Sequence, residues 1–206
     1  MNDSLLVAED LRCIVGPRAL FVGLSFTVEP GDLIEVRGAN GSGKSTLLRC
    51  LVGLAAPESG DVHRRVEAQY LGHRSGNSGR MTPHENLRWI AGLRGVERDS
   101  DSIDDALARV GLGDAGHAMC DSLSVGQQRR VSLARLLVAP SPLWILDEPL
   151  TSLDDAGVEL VRELLAEHRS RGGGAVCATH RALTLGSAAA RVVALSRGAP
   201  GAPGAP

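Results

Sequence analysis

The sequence Gly38-Ala39-Asn40-Gly41-Ser42-Gly43-Lys44-Ser45-Thr46 decides the fold of this 206-residue chain. It follows the alternating apolar run 33–36 and precedes leucines at helical spacing, which predicts a strand, a glycine-rich loop and a helix in that order. The main-chain N–H groups of such a loop can surround a phosphate chain at a helix N-terminus, where the helix dipole favours anions. Lys44 offers a compact charge to the terminal phosphates, and the Ser45 hydroxyl can bind magnesium. We therefore predict a nucleoside triphosphate site.

The lysine in this loop is unusual in its own right. Of the 22 Lys and Arg residues, only Lys44 is a lysine. The planar guanidinium of arginine does not replace a point charge between phosphates, so the chain uses lysine where the geometry requires it. A glycine-rich turn that matches by chance is the alternative, and the flanking strand and helix disfavour it.

A pair of acids follows a second apolar run, Leu143–Leu146. In open α/β sheets, ligands bind at the carboxyl ends of the strands, which is where Asp147 and Glu148 are expected to lie. Asp147 can hold magnesium, and Glu148 can take a proton from an attacking water. Considered alone, the two acids are also compatible with a solvated loop.

Between these motifs, the segment Leu123-Ser124-Val125-Gly126-Gln127 immediately precedes a helical pattern. Its position predicts that Ser124 caps the helix and that free N–H groups near Gly126 can bind a second anion. An isolated segment of this kind is more often only a helix cap. The conjunction of all three motifs favours the binding function.

Together the motifs resemble the ATP-binding cassette (ABC) family over about residues 5 to 197, with the family signature LSGGQ present as LSVGQ. The resemblance implies ATP and Mg²⁺ as ligands, residues 40–46 as the phosphate loop, Asp147 as the magnesium carboxylate and Glu148 as the catalytic base. It also implies that His180 is the switch histidine that contacts the γ-phosphate. Ser152 and Asp154 then belong to the loop that crosses the interface between two cassettes.

Two positions depart from the family pattern. His73 stands where the family usually has a glutamine, so the resemblance assigns to an imidazole a role in the catalytic site. The family also stacks an aromatic side chain on adenine upstream of the phosphate loop, and this chain has none there. We expect Val15 or Arg18 to cover the base instead.

The expected fold is α/β, a P-loop NTPase of the ABC type. Strands that alternate with helices predict a mostly parallel sheet covered on both faces. The runs 24–28 and 33–36, joined by a Pro-Gly turn, predict a hairpin, and the fold class includes an N-terminal antiparallel β part. We predict one ABC ATPase domain at residues 1–197, with a helical subdomain at about 75–136, and a disordered Gly/Ala/Pro tail at 198–206.

Composition limits the other classes of function. The net charge of −2 gives no support to a nucleic-acid-coating protein. The sequence has no run of 18 consecutive apolar residues, so no membrane span is predicted. The acidic N-terminal segment, without a basic start or an apolar run, predicts no secretion signal. The four cysteines are far apart in sequence and are expected to be reduced core residues.

Within the ABC family, the segments YLGH, TPHENLRW, LSVGQQRRVSLARL and PLWILDEPLTSLD resemble the ATP-binding subunits of the haem exporter of bacterial cytochrome c maturation. This implies a peripheral protein on the cytoplasmic face of the inner membrane, paired with a second ATPase protomer and with integral membrane subunits. No Cys-x-x-Cys-His motif is present, so we expect this chain not to bind haem.

Four other hypotheses about function are compatible with the sequence. The protein could be an ATPase subunit of another small-molecule exporter, a cassette that acts on DNA or ribosomes, a small P-loop kinase or a hydrolytically inactive cassette. The segment Gly72–Leu93, with Arg74, Arg80 and Arg88, is a candidate docking surface for membrane subunits, although a solvated basic loop is an equally good interpretation.

Overall fold

The computed structural model describes residues 4–183 and 190–195, so the predicted tail at 198–206 lies outside the described residues. In those two ranges the strands are β1 (Leu6–Val15), β2 (Arg18–Val28), β3 (Leu33–Arg37), β4 (Ser59–Arg64), β5 (Ala68–Leu71), β6 (Leu143–Asp147), β7 (Gly174–Ala178) and β8 (Arg191–Ala194). The helices are α1 (Lys44–Val52), α2 (Pro83–Leu93), α3 (Ser100–Arg109), α4 (Val125–Val138) and α5 (Asp155–Ser170). None of them is long and apolar enough to cross a membrane.

A parallel sheet forms the centre of the molecule, with the strand order β5-β6-β7-β3-β8. All four strand pairings in it are parallel. Every residue of β6 and β7 is buried, as expected for strands covered on both faces. Because the strands run in the same direction, the loops that follow β3, β6 and β7 emerge at one edge of the sheet. The predicted parallel α/β core is confirmed.

A second, antiparallel sheet has the order β2-β1-β4, and it corrects the predicted hairpin. The chain does turn at residues 29–32, where Asp32 N–H donates to the Glu29 carbonyl at 3.0 Å. However, β2 pairs with β1, whereas β3 pairs with β7 and β8. The reason is that residues 33–36 are all buried, and only a central strand can bury both of its faces.

The apolar core lies on both faces of the parallel sheet. Alternate residues of β6 point to opposite faces, so Leu143 and Ile145 join the cluster under α1, while Trp144 and Leu146 join the cluster under α4 and α5. The four cysteines are free and buried, as expected from the sequence. Helices α2, α3 and α4 lie between β5 and β6 in the chain, and the division into a core and a helical subdomain stays a prediction.

A stacked ring pair closes the opposite end of the sheet, where β6 and β7 begin. The indole of Trp144 and the imidazole of His168 lie 3.9 Å apart between ring centroids, with planes 6° from parallel. His168 Nε2 lies 3.1 Å from the Gly174 carbonyl. Burial lowers the pKa of His168, because the charged imidazole would lose its hydration there.

Candidate active site

The phosphate loop folds tightly between β3 and α1. Gly41 and Gly43 have positive φ angles of 73° and 100°, a backbone conformation that glycine adopts without steric cost. A Cβ atom at Gly43 would lie 2.9 Å from the Cβ of Leu20, so a larger residue would displace the neighbouring strand. Gly43 is the N-cap of α1 and leaves the N–H groups of its first turn available for an anion.

Lys44 is held by its own loop. Its side chain Nζ donates to the carbonyls of Gly38 at 2.8 Å and Ala39 at 3.3 Å, and it lies 3.2 Å from His180 Nε2. The residue is buried, with 7% of its surface exposed. The ammonium group of the chain's single lysine therefore has a fixed position at the start of α1.

The two acids differ in burial and in backbone conformation. Asp147 is the last residue of β6 and is buried. Glu148 has a left-handed backbone with φ of 50°, and its N–H donates to the Ala178 carbonyl at 2.8 Å. Its Oε1 is buried, lies 3.3 Å from His180 Nε2 and has no hydrogen-bond partner in the described part of the chain. A buried acceptor without a protein partner is suited to a ligand or a water.

The turn after β7 positions His180. The Thr179 hydroxyl donates to the Arg181 carbonyl at 2.9 Å and accepts from the Arg181 N–H at 3.1 Å. Beyond it, the N–H of Leu183 donates to Oε1 of Glu35 at 2.7 Å. Glu35 is a buried carboxylate in β3 that the sequence analysis missed. A lone acid inside the apolar run LIEV was the signal that could have identified it.

Ten of the predicted site residues line one cavity of about 670 Å³. Its lining consists of Val15, Leu20, Asn40, Gly41, Gly43, Lys44, Ser45, Thr46, His73, Asp147, Glu148, Thr151 and His180. Val15 and Leu20 supply the apolar part of the wall. Of the two residues expected to cover the base, Val15 is in this lining and Arg18 is not, while Leu20 was not anticipated.

The structure places the segment 123–127 apart from this cavity. Ser124 caps α4, since its hydroxyl accepts from the Gln127 N–H at 3.2 Å and the Gln127 side chain accepts from the Ser124 N–H at 2.9 Å. Val125 is 69% exposed. A separate cavity contains Ser124, Gly126 and Gln127 together with Ser152 and Asp154. Leu123 is buried.

Asp154 joins this second group of residues to the helices around it. Its carboxylate accepts from the Gly157 N–H at 2.9 Å, which caps α5, and from Arg130 at 2.7 Å. The Gly157 N–H, and after it the Arg130 guanidinium, lower the pKa of Asp154 by stabilising its charged form. Ser152 has a left-handed backbone with φ of 65°.

Comparison with known proteins identifies the family. The family model described as "ABC transporter" matches residues 21–151, which is more than half of the chain. The chain belongs to the ABC transporter family. As an ABC cassette it is an ATP-binding, ATP-hydrolysing protein, and the predictions of its fold family and enzyme class are confirmed.

Curated relatives and solved structures agree with the ABC assignment. The "Cytochrome c biogenesis ATP-binding export protein CcmA" of Methylococcus capsulatus is 49% identical over 195 residues, which cover 89% of this chain and 94% of the relative. The protein of the same name from Nitrosomonas europaea is 44% identical over 207 residues, covering 94% and 96%. A solved ATP-binding subunit of an ABC transporter has a TM-score of 0.77 and 25% identity, covering 85% of this chain and 79% of that chain.

In this ABC cassette, the predicted site residues therefore form two surfaces within one chain. Lys44, Ser45, Asp147, Glu148 and His180 line the first surface, which we call the nucleotide cavity. Ser124, Gly126 and Gln127 form the second with the loop 152–154, and we call it the signature surface. His73 lies in the wall of the nucleotide cavity and in a third cavity that reaches the first turn of α4.

Proposed function

We propose that this chain is the ATP-hydrolysing subunit of the haem exporter of cytochrome c maturation, where it energises haem export or the release of the haem carrier. The relatives named as cytochrome c biogenesis export proteins match about nine-tenths of the chain, which supports this choice. One observation carries the proposed chemistry: His180 Nε2 lies 3.2 Å from Lys44 Nζ and 3.3 Å from Glu148 Oε1. Three groups suited to phosphoryl transfer thus meet in one cavity.

The proposed reaction is the in-line attack of water on the γ-phosphate of ATP. Glu148 accepts the proton of the attacking water, and within residues 4–183 and 190–195 no group donates a hydrogen bond to its Oε1. The new P–O bond forms as the bond to the ADP oxygen breaks. Lys44 exchanges its bonds to the carbonyls of Gly38 and Ala39 for bonds to phosphate oxygens, and His180 donates to the γ-phosphate.

The residues of the nucleotide cavity also fit Mg²⁺. Ser45 and Asp147 both line it, and a hydroxyl with a carboxylate is the oxygen ligand set that Mg²⁺ prefers alongside phosphates. The tight glycine loop suits a bound triphosphate, and Oε1 of Glu148, which has no partner in the described part of the chain, can accept from a water beside it. When bound, the ion would neutralise charge that develops on the phosphates. His73, in the same wall, is proposed to hydrogen-bond at the γ-phosphate end of the site.

The proposed active form is a pair of cassettes. Ser124 uses a lone pair of its hydroxyl to cap α4, so the O–H proton stays available to donate to a phosphate. The chain has one phosphate loop, and the signature surface is separate from it. A second protomer would complete each site by placing its signature surface on the nucleotide held by the first. Ser152 and Asp154 would then lie at the interface between protomers.

We propose that the segment Gly72–Leu93 docks on integral membrane subunits at the cytoplasmic face of the inner membrane. Arg74, Arg80 and Arg88 are exposed, and α2 also exposes the apolar side chains of Trp89 and Leu93, at 56% and 61% of their surfaces. A basic surface that also exposes large apolar groups is typical of an interface rather than of a solvated loop. These contacts would connect the cassette to the transporter.

Purification from membranes tests the assignment. The tagged full-length chain is extracted with its membrane partners, which are identified by mass spectrometry, and haem is measured by its absorbance. We expect integral proteins to accompany the chain and haem to be present in that complex and absent from the isolated chain. Partners that carry another small molecule and no haem would contradict the proposed cargo. Recovery without any integral protein would contradict the transport role.

Substitution tests the docking surface. A variant with Arg74, Arg80 and Arg88 changed to Gln should lose at least about ten-fold in co-purification with membrane proteins, while its soluble ATPase activity stays within two-fold of the wild type. The matched control changes the exposed Arg12, Arg18 and Arg64 of the antiparallel sheet to Gln. If both variants assemble normally, the docking proposal is wrong.

A further inference from the structure

We propose that Arg129 is a positioning residue that fixes the catalytic acids and the His73 loop relative to the signature helix α4. The guanidinium contacts main-chain carbonyls on two separate loops. It donates to the carbonyl of Gly72 at 2.9 Å, to those of Asp147 and Glu148 at 2.9 Å and 2.7 Å, and to that of Pro149 at 3.4 Å. The inference rests on the proposed role of Glu148 as the catalytic base.

The burial of Arg129 means that its guanidinium depends on these carbonyls and that another side chain cannot replace it. Arg129 is only 5% exposed, so its charged group has lost most of its hydration and depends on these carbonyls. The pKa of Arg129 is lowered by burial, which the negative charges of Asp147 and Glu148 partly oppose. The rigid guanidinium carries five donors in a fork, and its nitrogens face both loops at once. The ammonium of a lysine donates from a single point and cannot span them.

The contacts fix the backbone on which the base stands. Glu148 has a left-handed conformation, which most residues avoid. Its N–H is bound by the Ala178 carbonyl, and its own carbonyl is bound by Arg129. Both peptide groups of Glu148 are therefore held, one by β7 and one by α4. The Gly72 carbonyl, immediately before His73, is held by the same guanidinium.

The helix that carries Arg129 also carries the signature. Ser124 caps α4, and Arg129 lies little more than one turn further along. The next residue, Arg130, is bound elsewhere, to the Val110 carbonyl at 2.8 Å and the Asp154 carboxylate at 2.7 Å. Consecutive arginines thus tie the first turns of α4 to the acids on one side and to the loop 152–154 on the other. A displacement of the signature would be transmitted to Glu148 through Arg129.

The experiment compares R129K and R129Q with R169Q in the full-length chain. Arg169 is the control, because its Nε also donates to a main-chain carbonyl, that of Gly31 at 2.7 Å, and it lines neither the nucleotide cavity nor the signature surface. We expect R129K and R129Q to lower kcat by about 10- to 100-fold, per folded molecule, with the KM for ATP within two-fold of the wild type. R169Q should lose thermal stability and keep kcat.

Three outcomes would overturn the inference. The first is a wild-type kcat in R129K or R129Q. The second is a loss of activity that is fully accounted for by a smaller fraction of folded protein. E148Q is assayed in parallel: if it still hydrolyses ATP, the base assignment fails, and this inference fails with it. If E148Q is inactive and R129K is fully active, only the role of Arg129 is wrong.

If the Arg129 variants do not fold, a measurement on the wild-type protein still tests the inference. Because one guanidinium holds both loops, the amides of segments 72–75 and 147–150 should gain hydrogen exchange together as mild denaturant is added. Independent opening of the two segments would contradict the proposed positioning role.

Discussion

Nε2 of His180 lies 3.3 Å from Oε1 of Glu148, yet the two atoms form no hydrogen bond. The same nitrogen lies 3.2 Å from the ammonium of Lys44, which can donate to it when the imidazole is neutral. One ring nitrogen cannot accept from Lys44 and donate to Glu148 at the same time. While Lys44 donates, Oε1 of Glu148 therefore receives no hydrogen bond from His180. Movement of Lys44 to a phosphate would release Nε2 for a new partner.

The most direct prediction concerns Glu148. The Glu148→Gln variant should lose at least about 10²-fold in ATP turnover, since an amide cannot take the proton from water. ATP binding should persist, because the phosphate loop is unchanged, and ATP should trap a dimer. Phosphate release and size-exclusion chromatography measure these effects. Glu159→Gln, the same chemical change at an exposed residue of α5, is the control and should behave as wild type. Normal hydrolysis by Glu148→Gln would refute the assignment.

Arginine should not replace lysine at position 44. The Nζ of Lys44 fits between the carbonyls of Gly38 and Ala39, whereas a planar guanidinium is larger and directional. We expect Lys44→Arg to weaken ATP binding about 10- to 100-fold, which corresponds to losing a charged hydrogen bond of about 1.5–3 kcal/mol. A fluorescent ATP analogue measures the affinity. An unchanged affinity in this variant would show that the ammonium is dispensable.

Substitutions at two helix caps distinguish a structural role of Ser124 from a role in ATP binding. Ser124 caps α4 and Thr82 caps α2, each in a reciprocal capping box with the residue three positions later. Ser124→Ala and Thr82→Ala should each lower the free energy of unfolding by about 1 kcal/mol. Only Ser124→Ala should also lower ATP turnover, because its O–H proton is proposed to bind phosphate. Equal turnover in the two variants, measured below their melting temperatures, would leave Ser124 with a capping role alone.

His73 is testable by a conservative exchange. It lines the nucleotide cavity, and the ABC family usually places a glutamine there. If its role is a hydrogen bond, His73→Gln should keep kcat within about three-fold, and His73→Ala should lower it about ten-fold or more. The exposed His63 of β4 provides the control variant His63→Ala, with no expected change. Full activity in His73→Ala would remove this residue from the site.

The buried His168 predicts a pH dependence of stability. Its folded-state pKa is lowered by burial, so the unfolded chain takes up the proton first as the pH falls. The stability contributed by neutral His168 is fully present above the unfolded pKa of about 6.5 and is lost as the pH falls through the folded pKa. His168→Phe retains a ring beside Trp144 without this titration. Urea unfolding between pH 7.5 and 5 should therefore show a smaller loss of stability in the variant. Identical slopes would contradict the prediction.

The sequence was sufficient to predict the parallel core and the positions of the glycine-rich loop and of Asp147 and Glu148 after their strands, because each combines strong periodicity with a motif of fixed spacing. It misled at β3, where a Pro-Gly turn resembled a hairpin although the chain passes between two sheets. Local turn chemistry does not reveal which strand is the partner. Glu35 and Arg129 were also missed, because their roles depend on contacts between distant parts of the chain. Glu35 accepts from Leu183, which is 148 positions away, and Arg129 donates to Gly72, which is 57 positions away. Residue type and spacing alone cannot show such contacts.

Because the backbone of Glu148 is left-handed, stability favours glycine at this position, whereas the proposed activity requires glutamate. Glycine adopts this conformation freely, whereas a glutamate is disfavoured there by about 1 kcal/mol. Replacement by glycine would relax the chain and remove the proposed base in the same step. If Glu148 is the base, a laboratory screen for heat resistance would enrich inactive proteins with glycine at position 148, and only selection for turnover would retain the acid.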